Sequence, residues 1–228
     1  MTRCIHCTRC VRFATEVAGV PELGAIGRGE NTEITNYLER TLASELSGNM
    51  IDLCPVGALT SGPYAFAARP WELTKTESVD VLDAVGSNIR IDARGPEILR
   101  VLPRINEDVN EEWISDKSRF ACDGLQRQRL DRPYVRADGK LKPATWEEAF
   151  QAINGAIERV SSSAIAAIAG DLADCESMLA LRDLMKSLGS NNLDCRQDGA
   201  KLDPNARASY LFNSTISGIE DADALLLV

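Results

Sequence analysis

Four cysteines have the type and spacing that could hold an iron–sulfur cluster. Cys4, Cys7 and Cys10 form a C-x2-C-x2-C run, and Cys54 follows 44 residues later, directly before Pro55. Three thiolates on one short loop can bind three corners of a cubic cluster, and a fourth ligand must come from elsewhere in the chain. A cysteine that precedes proline is typical of the fourth ligand position in bacterial-type ferredoxins. The spacing therefore predicts one [4Fe–4S] cluster with the ligands Cys4, Cys7, Cys10 and Cys54.

The same motifs provide ligands for only one such cluster. In the two-cluster ferredoxin run C-x2-C-x2-C-x3-C-P, the last cysteine ligates the other cluster. Ala14 stands at the corresponding position after Cys10, so the triplet donates no ligand to a second cluster. Residues 48–53 contain no cysteine, so Cys54 has no triplet of its own.

A structural zinc site and unligated thiols are the alternatives for these cysteines. Structural zinc usually takes pairs of cysteines, or a cysteine pair with histidines. Here the cysteines form a triplet, and the single histidine of the chain, His6, lies inside it. We expect His6 to face solvent rather than to act as a ligand.

The residues beside the cysteines are expected to tune a bound cluster. Arg9 and Arg12 are either ordinary surface charges or a means of offsetting the negative charge of cluster and thiolates, which raises the reduction potential. Nearby apolar side chains are expected to keep the site dry. These apolar residues are Ile5, Phe13, Ile51, Leu53 and Val56.

The composition is that of an ordinary globular protein. The chain has 228 residues, of which 44% are hydrophobic and 26% are charged, enough for one large domain or two to three small ones. The net charge of −9 and the lack of a basic stripe argue against a nucleic-acid partner. No membrane span, signal peptide or transit peptide is predicted. Seven cysteines, four of them in a metal-binding pattern, indicate a reducing compartment.

The fold class predicted for the chain is α+β with α/β. Residues 1–72 are predicted to form a ferredoxin-like cluster-binding module. A short helix is expected over residues 10–17, a strand over residues 30–38, and a second helix that begins at Ser44. Pro55 stiffens the backbone beside Cys54, because its ring fixes φ and removes an amide donor. A ferredoxin-like unit normally has a strand before its first cluster loop, so we expect the chain to be a piece of a longer subunit.

Residues 73–130 are predicted to form a small β-rich module. Apolar alternation over residues 79–85, 88–92 and 98–103, with a turn at Gly95-Pro96, is typical of an antiparallel meander. Cys122 follows the meander. Cys122, Cys175 and Cys195 are expected to be inert, buried residues.

Residues 131–228 are predicted to begin an α/β domain with a parallel sheet. Thr145 and Glu148 form a capping box, and Asp174 caps a second helix that ends before Gly189. Buried strands are expected over residues 164–169 and 225–228. The core-facing positions of the first helix are predicted to be Trp146, Ala149, Phe150, Ile153, Ile157 and Val160, and those of the second are Met178, Leu181, Leu184, Met185 and Leu188.

Five segments together resemble the large iron–sulfur subunit of respiratory complex I, NADH:ubiquinone oxidoreductase. The likeness covers essentially the whole chain and is strongest up to about residue 130. The segments are Cys4–Glu16, Ser44-Glu-Leu-Ser-Gly-Asn, Cys54-Pro-Val-Gly-Ala-Leu-Thr-Ser, Ala68-Arg-Pro-Trp-Glu-Leu and Asn110–Phe120.

The resemblance implies a role in electron transfer. It implies that Cys4, Cys7, Cys10 and Cys54 hold one tetranuclear cluster that relays single electrons between flavin and quinone. The complete subunit of that family carries a [2Fe–2S] and a further [4Fe–4S] cluster nearer its N-terminus, outside this sequence. The implied partners are the flavoprotein and iron–sulfur subunits of the peripheral arm. The implied location is the matrix side of the mitochondrial inner membrane, or the cytoplasmic face of the plasma membrane in a bacterium.

The later part is similar to molybdopterin oxidoreductases, whose N-terminal module carries a cluster on T-x-S-x-C-x2-C-x3-C and a later cysteine. Asp80, Asp83 and Ser87 stand at the three cysteine positions here, and Cys122 is a candidate for the fourth. Two carboxylates, a hydroxyl and one thiol are a poor ligand set for a soft iron–sulfur cluster. We therefore expect this module to keep the fold without a cluster and without a pterin.

Other functions stay open from the residues alone. The chain resembles electron-transfer parts of NAD-linked hydrogenases and formate dehydrogenases as well, although the missing cysteines at 80, 83 and 87 disfavour the latter. A zinc-stapled scaffold without redox activity is the alternative from another class. No nucleophile–base pair is visible, so the chain is expected to act as a subunit of an enzyme rather than to carry a substrate site.

Overall fold

The computed structural model describes residues 2–36, 41–195, 199, 201–212 and 214–226. The chain divides into two compact units. The first comprises the chain up to Arg127 together with the segment from Thr215 onward, and the second comprises Gln128–Ser214. Within the described residues, no helix is both long enough and apolar enough to cross a membrane.

The first unit combines short helices with a hairpin and a meander, as the predicted α+β class requires. The hairpin is antiparallel and places Ala25 opposite Ile34. The meander is an antiparallel sheet of three strands in chain order. The elements are α1 (Arg9–Arg12), β1 (Leu23–Ile26), β2 (Glu33–Asn36), α2 (Asn49–Leu53), β3 (Thr74–Val79), β4 (Asn88–Arg94), β5 (Glu97–Pro103) and α3 (Asp116–Phe120).

The predicted helix over residues 10–17 is confirmed, with an unexpected form. α1 continues directly into a π-helical segment, Phe13–Val17. This segment points Phe13 and Ala14 into the small core of the cluster-binding module, where both are buried. The core also contains Leu23, Ile34 and Met50.

Two element boundaries in this module differ from the predictions. The strand predicted over residues 30–38 begins only at Glu33, because Gly29–Asn31 forms a 3-10 turn, and positions 37 and 38 lie outside the described residues. The helix predicted at Ser44 begins at Asn49. Ser44 instead caps a turn, since its hydroxyl accepts a hydrogen bond from the N–H of Leu46 at 3.2 Å.

The meander confirms two predicted strands and corrects the third. β4 and β5 lie where apolar alternation indicated them, and the chain turns at Gly95-Pro96 between them. The strand predicted over residues 79–85 is wrong, because β3 ends at Val79. Beyond it the chain forms a loop, in which the N–H of Asp80 donates to the carbonyl of Ser87 at 2.8 Å.

A buried carboxylate joins neighbouring strands of the meander. The side chain of Asp92 on β4 is fully buried between two arginines, with Arg90 Nε at 2.9 Å and Arg100 Nε at 2.7 Å from its oxygens. Burial by itself raises the pKa of the Asp92 carboxyl, but the hydrogen bonds and charges of Arg90 and Arg100 outweigh it and hold the pKa below its usual value. The ionised carboxylate therefore stabilises the folded meander.

Replacing Asp92 by Asn should lower the free energy of unfolding by about 2 kcal/mol at neutral pH, because charge-assisted hydrogen bonds are lost. An unfolded aspartate has a pKa of about 3.9. Since the folded pKa is lower, the contribution of the carboxylate is complete above that value and disappears as the pH falls through the folded pKa. Urea unfolding between pH 7 and pH 3 should show the two proteins converging in acid. Asp108→Asn, at an exposed aspartate of the same unit, is the control; an equal loss there would contradict the prediction.

The second unit contains a hairpin and a β–α–β segment with a parallel strand pair, as predicted for the α/β domain. Both helix caps are confirmed: Thr145 and Glu148 form a capping box, and the carboxylate of Asp174 accepts from the N–H of Ser177 at 2.7 Å. The elements are β6 (Tyr134–Ala137), β7 (Lys140–Pro143), α4 (Trp146–Ile157), β8 (Ala167–Ile168), α5 (Cys175–Ser187) and β9 (Leu193–Asp194).

The predicted core of the second unit is confirmed only in part. Ala149 and Met185 are buried, and the half-buried positions are Ile157, Met178, Leu181 and Leu188. Trp146, Phe150, Ile153 and Val160, expected to face a core, are each at least half exposed, and so is Leu184. The reason is that the parallel strands β8 and β9 have two residues each, which is too little sheet to cover two helices.

Two strand predictions in this part of the chain are corrected. The strand predicted over residues 164–169 is shortened to β8 by the 3-10 turn Ser162–Ala164. In the strand predicted over residues 225–228, the exposed Leu225 and Leu226 form no strand, and positions 227 and 228 lie outside the described residues.

Candidate iron–sulfur centre

The four predicted ligands lie around one cavity of about 240 Å³. Cys4, Cys7 and Cys10 come from the loop that leads into α1, and Cys54 directly follows α2. The rest of the wall is mainly apolar. It includes Ile5, Leu23, Ile34, Leu42, Met50, Ile51, Pro55, Val56, Ala58 and Leu59.

The backbone of the triplet loop is bent by two residues in the left-handed region. His6 has φ 54° and Thr8 has φ 59°, which are uncommon values for residues other than glycine. Each of these residues lies directly before or after a cysteine. The N–H of His6 donates to Cys4 Sγ at 3.4 Å. The bent loop thus brings the backbone amide of His6 to the sulfur of Cys4.

Cys54 lies in a cluster of backbone donors. Burial raises the pKa of its thiol, but hydrogen bonds from the N–H groups of Leu59, Val56, Ala58 and Gly57 outweigh burial and lower the pKa below its usual value. Gly57 has φ +63° with no atom near its missing side chain, so glycine is required there for the backbone turn rather than for space. This turn after Pro55 favours a thiolate at position 54.

Cys10 has the opposite electrostatic environment. Burial raises the pKa of its thiol, the N–H groups of Val11 and of Cys10 itself oppose this, and the neighbouring thiols of Cys7 and Cys4 raise the pKa further. The three cysteines of the loop therefore repel one another when ionised. Positive charge at the centre of the site, such as that of iron, relieves this repulsion.

The site is closed on one side and open on the other. Cys4 and Cys10 pack against the core around Phe13, which is 3% exposed, and Ile51, Leu53 and Val56 are half-buried. Cys7 is exposed, and Ile5 is 59% exposed. The prediction that Ile5 belongs to a dry shell is therefore wrong, because it lies at the open edge.

His6 is more enclosed than the sequence suggested. It is half-buried, whereas full exposure to solvent was expected. Its neighbours Ile5 and Cys7 line the cavity, but His6 is not among the described residues that do so. That His6 is not a ligand stays a prediction.

Hydrogen bonds to a distant segment hold the residues before Cys54, which the sequence did not reveal. The carboxylate of Asp116 accepts from the hydroxyl of Ser47 and from the N–H of Gly48 at 2.7 Å. The amide of Asn49, itself 1% exposed, bonds to the carbonyl and the N–H of Ile114 at 2.9 and 3.2 Å. The sequence could not show this contact, because the partners of residues 47–49 lie more than 60 residues away.

The residues at the three cysteine positions of the middle module, Asp80, Asp83 and Ser87, form hydrogen bonds within that module. Asp80 and Ser87 are buried; Ser118 donates its hydroxyl proton to Asp80, and Ser87 donates to Asp83. Burial raises the pKa of the Cys122 thiol, and the charge of Asp123 raises it further, so this thiol stays protonated.

The remaining cysteines differ from the predictions. Cys175 and Cys195, expected to be buried, are exposed, and Cys122 is half-buried. Across the described part of the chain, no group of three or more His, Cys, Asp or Glu side chains is placed to hold a metal ion.

Family models match almost the whole chain in three consecutive pieces. Residues 1–60 match the ferredoxin-like domain of NADH-quinone oxidoreductase subunit 3. Residues 73–123 match the NADH-ubiquinone oxidoreductase NDSU1/NuoG-like 4Fe-4S domain. Residues 129–228 match molybdopterin oxidoreductase.

Similar proteins come from bacteria and from mitochondria. The G-type subunit of NADH-quinone oxidoreductase from Rickettsia conorii is 59% identical over 228 residues, which is all of this chain and 34% of that protein. The mitochondrial NADH-ubiquinone oxidoreductase 78 kDa subunit of Candida albicans is 59% identical over 232 residues, again covering the whole chain and 32% of that protein. The mitochondrial NADH dehydrogenase [ubiquinone] iron-sulfur protein 1 of Solanum tuberosum is 58% identical, covering the whole chain and 31% of that protein.

The chain thus spans about a third of the length of the curated relatives it matches. The high identity over all 228 residues and the order of the three matched models agree with the cysteine arrangement. The chain belongs to the family of the large iron–sulfur subunit of NADH-quinone oxidoreductase, respiratory complex I.

Proposed function

We propose that this chain relays single electrons, within an NADH:quinone oxidoreductase, through one [4Fe–4S] cluster held by Cys4, Cys7, Cys10 and Cys54. The observation that carries the proposal is the meeting of these four thiols at one largely apolar cavity. When bound, the cluster supplies the one-electron chemistry. The chain supplies four sulfur ligands, an apolar wall and backbone donors.

The arrangement supports a cluster better than a single zinc ion. Zinc requires four ligand atoms within about 2.3 Å of one metal centre. Structural zinc usually takes cysteine pairs, whereas the thiols that line this cavity are a C-x2-C-x2-C triplet and one distant cysteine. A triplet with a fourth cysteine before proline is the ligand pattern of an iron–sulfur cluster.

The backbone around Cys54 is suited to tuning the cluster. Hydrogen bonds to ligand sulfur withdraw negative charge and favour the reduced state, so they raise the reduction potential. The four N–H groups of residues 56–59 that lower the pKa of Cys54 would act in this way. Exposure of Cys7 gives the open edge of the site contact with solvent or a neighbouring protein.

We further propose three modules, residues 1–72, 73–130 and 131–228, of which the middle one carries no cluster. Its matched model is described as a 4Fe-4S domain, but Asp80, Asp83 and Ser87 occupy the positions of three expected cysteines. Their side chains are satisfied by one another and by Ser118. Further [2Fe–2S] and [4Fe–4S] clusters would then be held by parts of the longer relatives that lie outside the matched third.

The partners proposed are the flavoprotein and iron–sulfur subunits of the peripheral arm. Because relatives occur both in Rickettsia and in mitochondria, the location is either the cytoplasmic face of a bacterial plasma membrane or the matrix side of the mitochondrial inner membrane. Electrons would pass from flavin toward quinone, and the acidic charge of −9 is consistent with a protein partner rather than nucleic acid.

Anaerobic analysis of iron, sulfide and zinc in the 228-residue protein, with low-temperature EPR after dithionite reduction, tests the proposal. About four irons and four sulfides per chain with a reduced tetranuclear signal are expected. About one zinc without sulfide would overturn the relay and favour the scaffold. A protein that binds neither metal after reconstitution with iron and sulfide would also overturn it, because the ligand set would then be insufficient.

A further inference from the structure

A buried arginine reaches from α3 to α2, the helix that directly precedes the proposed fourth ligand, Cys54. The side chain of Arg119 is 4% exposed, and its Nη2 lies 2.7 Å from Asp52 Oδ2 and 3.0 Å from Asn49 Oδ1. Both acceptors are on α2, and Asp52 precedes Cys54 by two residues. A full positive charge is thus held against the element that ends at a cluster ligand.

The side chain of Arg119 packs tightly against the backbone of Gly48. A Cβ atom on Gly48 would lie 2.7 Å from Arg119 Cδ and 2.8 Å from its Nε. That Nε has no hydrogen-bond partner among the described residues, although it is buried. Burying a cation with an unsatisfied donor costs stability that an apolar side chain would avoid. A packing role alone therefore does not explain an arginine at this position.

We infer that Arg119 is a positioning residue that sets the reduction potential of the cluster by balancing the charge of Asp52. This inference rests on the proposed cluster at Cys4, Cys7, Cys10 and Cys54. Adding an electron to the cluster makes the site more negative, so a nearby unbalanced carboxylate opposes reduction and a nearby cation favours it. Low exposure of Arg119 limits screening by solvent, which makes its charge effective at a distance.

Removing the positive charge of Arg119 should shift the reduction potential of the cluster in a known direction. In Arg119→Met the chain retains a side chain of similar length, and Asp52, which is 34% exposed, can still be hydrated. The cluster should become harder to reduce, because the carboxylate has lost its counterion. In Asp52→Asn the arginine is left unbalanced, and the cluster should become easier to reduce. The double variant should have a reduction potential closer to that of the unmodified protein than either single variant has.

The test is an EPR-monitored redox titration of the unmodified 228-residue protein, Arg119→Met, Asp52→Asn and the double variant. Iron content and thermal unfolding are recorded for each protein. We expect a lower midpoint potential in Arg119→Met and a higher one in Asp52→Asn. The midpoint potential of the double variant should lie near that of the unmodified protein. Unchanged potentials, with altered unfolding temperatures, would assign Arg119 to structure alone and overturn the inference.

Two further variants keep the test decisive. Arg119→Lys preserves the charge but replaces the planar guanidinium by a single ammonium group, and it should keep the potential closer to that of the unmodified protein than Arg119→Met does. Arg104→Met removes another arginine whose Nε is buried without a partner among the described residues, but whose contacts are Glu77 and Asn88 on the meander. It should destabilise the protein with a smaller change in potential; an equal change would contradict a specific role for Arg119.

The outcomes separate this inference from the proposed function. If the unmodified protein binds no cluster, the proposed relay fails before any variant is compared. If the unmodified protein holds about four irons but Arg119→Met loses them, the Asp52→Asn titration decides, since it leaves Arg119 in place. A potential in Asp52→Asn that does not rise would overturn the inference while leaving the relay intact.

Discussion

Replacing Cys54 by Ala should abolish the full tetranuclear cluster, lowering iron from about four per chain to three or fewer. Cys54 is the single proposed ligand outside the triplet loop, and among the described residues no cysteine besides Cys54 and the triplet lines the cavity. A three-thiol loop can retain a smaller cluster or none. Iron and sulfide analysis with EPR of the reduced protein measures the change. A full four-iron spectrum in the variant would show that another group is the fourth ligand.

Cys122→Ser is the matched control for this experiment. Cys122 belongs to the same compact unit and is also half-buried, but it lies after α3 and its sulfur contacts the carbonyl of Arg119. Cys122 is not among the described residues that line the cavity of the four proposed ligands, so its thiol is not placed to bind the same cluster. Iron content should therefore stay unchanged. A fall in iron in this variant would reveal a second site in the middle module.

Replacing Gly48 by Ala should lower the free energy of unfolding by about 2–3 kcal/mol, the cost of overpacking a tight contact. The added methyl group would lie 2.6 Å from Asp116 Oδ1, which accepts the N–H of the same glycine, and 2.7 Å from Arg119 Cδ. The backbone of Gly48 is helical, with φ −63° and ψ −23°, so alanine meets no conformational penalty there. Urea unfolding measures the loss, which then reports the clash alone.

Gly62→Ala is the corresponding control, since its methyl group would meet no atom within 4 Å and the residue is exposed. We expect its free energy of unfolding to change by less than about 0.5 kcal/mol. Equal losses in both variants would show that a general effect of glycine replacement, rather than contact between α2 and α3, causes the change. A stable Gly48→Ala protein would mean that Asp116 and Arg119 move aside without cost.

Together these contacts explain how Cys54, the proposed fourth ligand, is placed. α2 has only five residues, too few to be stable by itself. Asn49, Gly48 and Asp52 tie it to α3 and to Ile114, which is buried under the meander. The middle module thus contributes to the cluster site by supporting α2, although its own ligand positions are occupied by carboxylates and a hydroxyl.

The sequence determined the local features of this protein. Cysteine spacing and the Cys54-Pro55 pair indicated the four thiols that line the cavity. The three triplet cysteines are separated by two residues each and cannot lie far apart, whereas the place of Cys54 depends on the long-range contacts of α2. The capping box at Thr145 and the cap at Asp174 identified both long helices, since a cap acts within a single turn. Strands β4 and β5 followed from local alternation and the intervening turn at Gly95.

Only the tertiary structure decided which side chains are buried and which distant segments meet. The apolar stripe of α4 has the periodicity of a core helix, yet its large side chains are exposed because the two-residue strands of that unit cannot cover them. The apolar residues after Val79 alternate like a strand, but hydrogen bonds of Asp80 and Ser87 make them a loop. Contacts such as Arg119 with Asp52 join residues 67 positions apart. Periodicity and capping act over a few residues, whereas such contacts depend on how whole elements pack, and no local pattern encodes that.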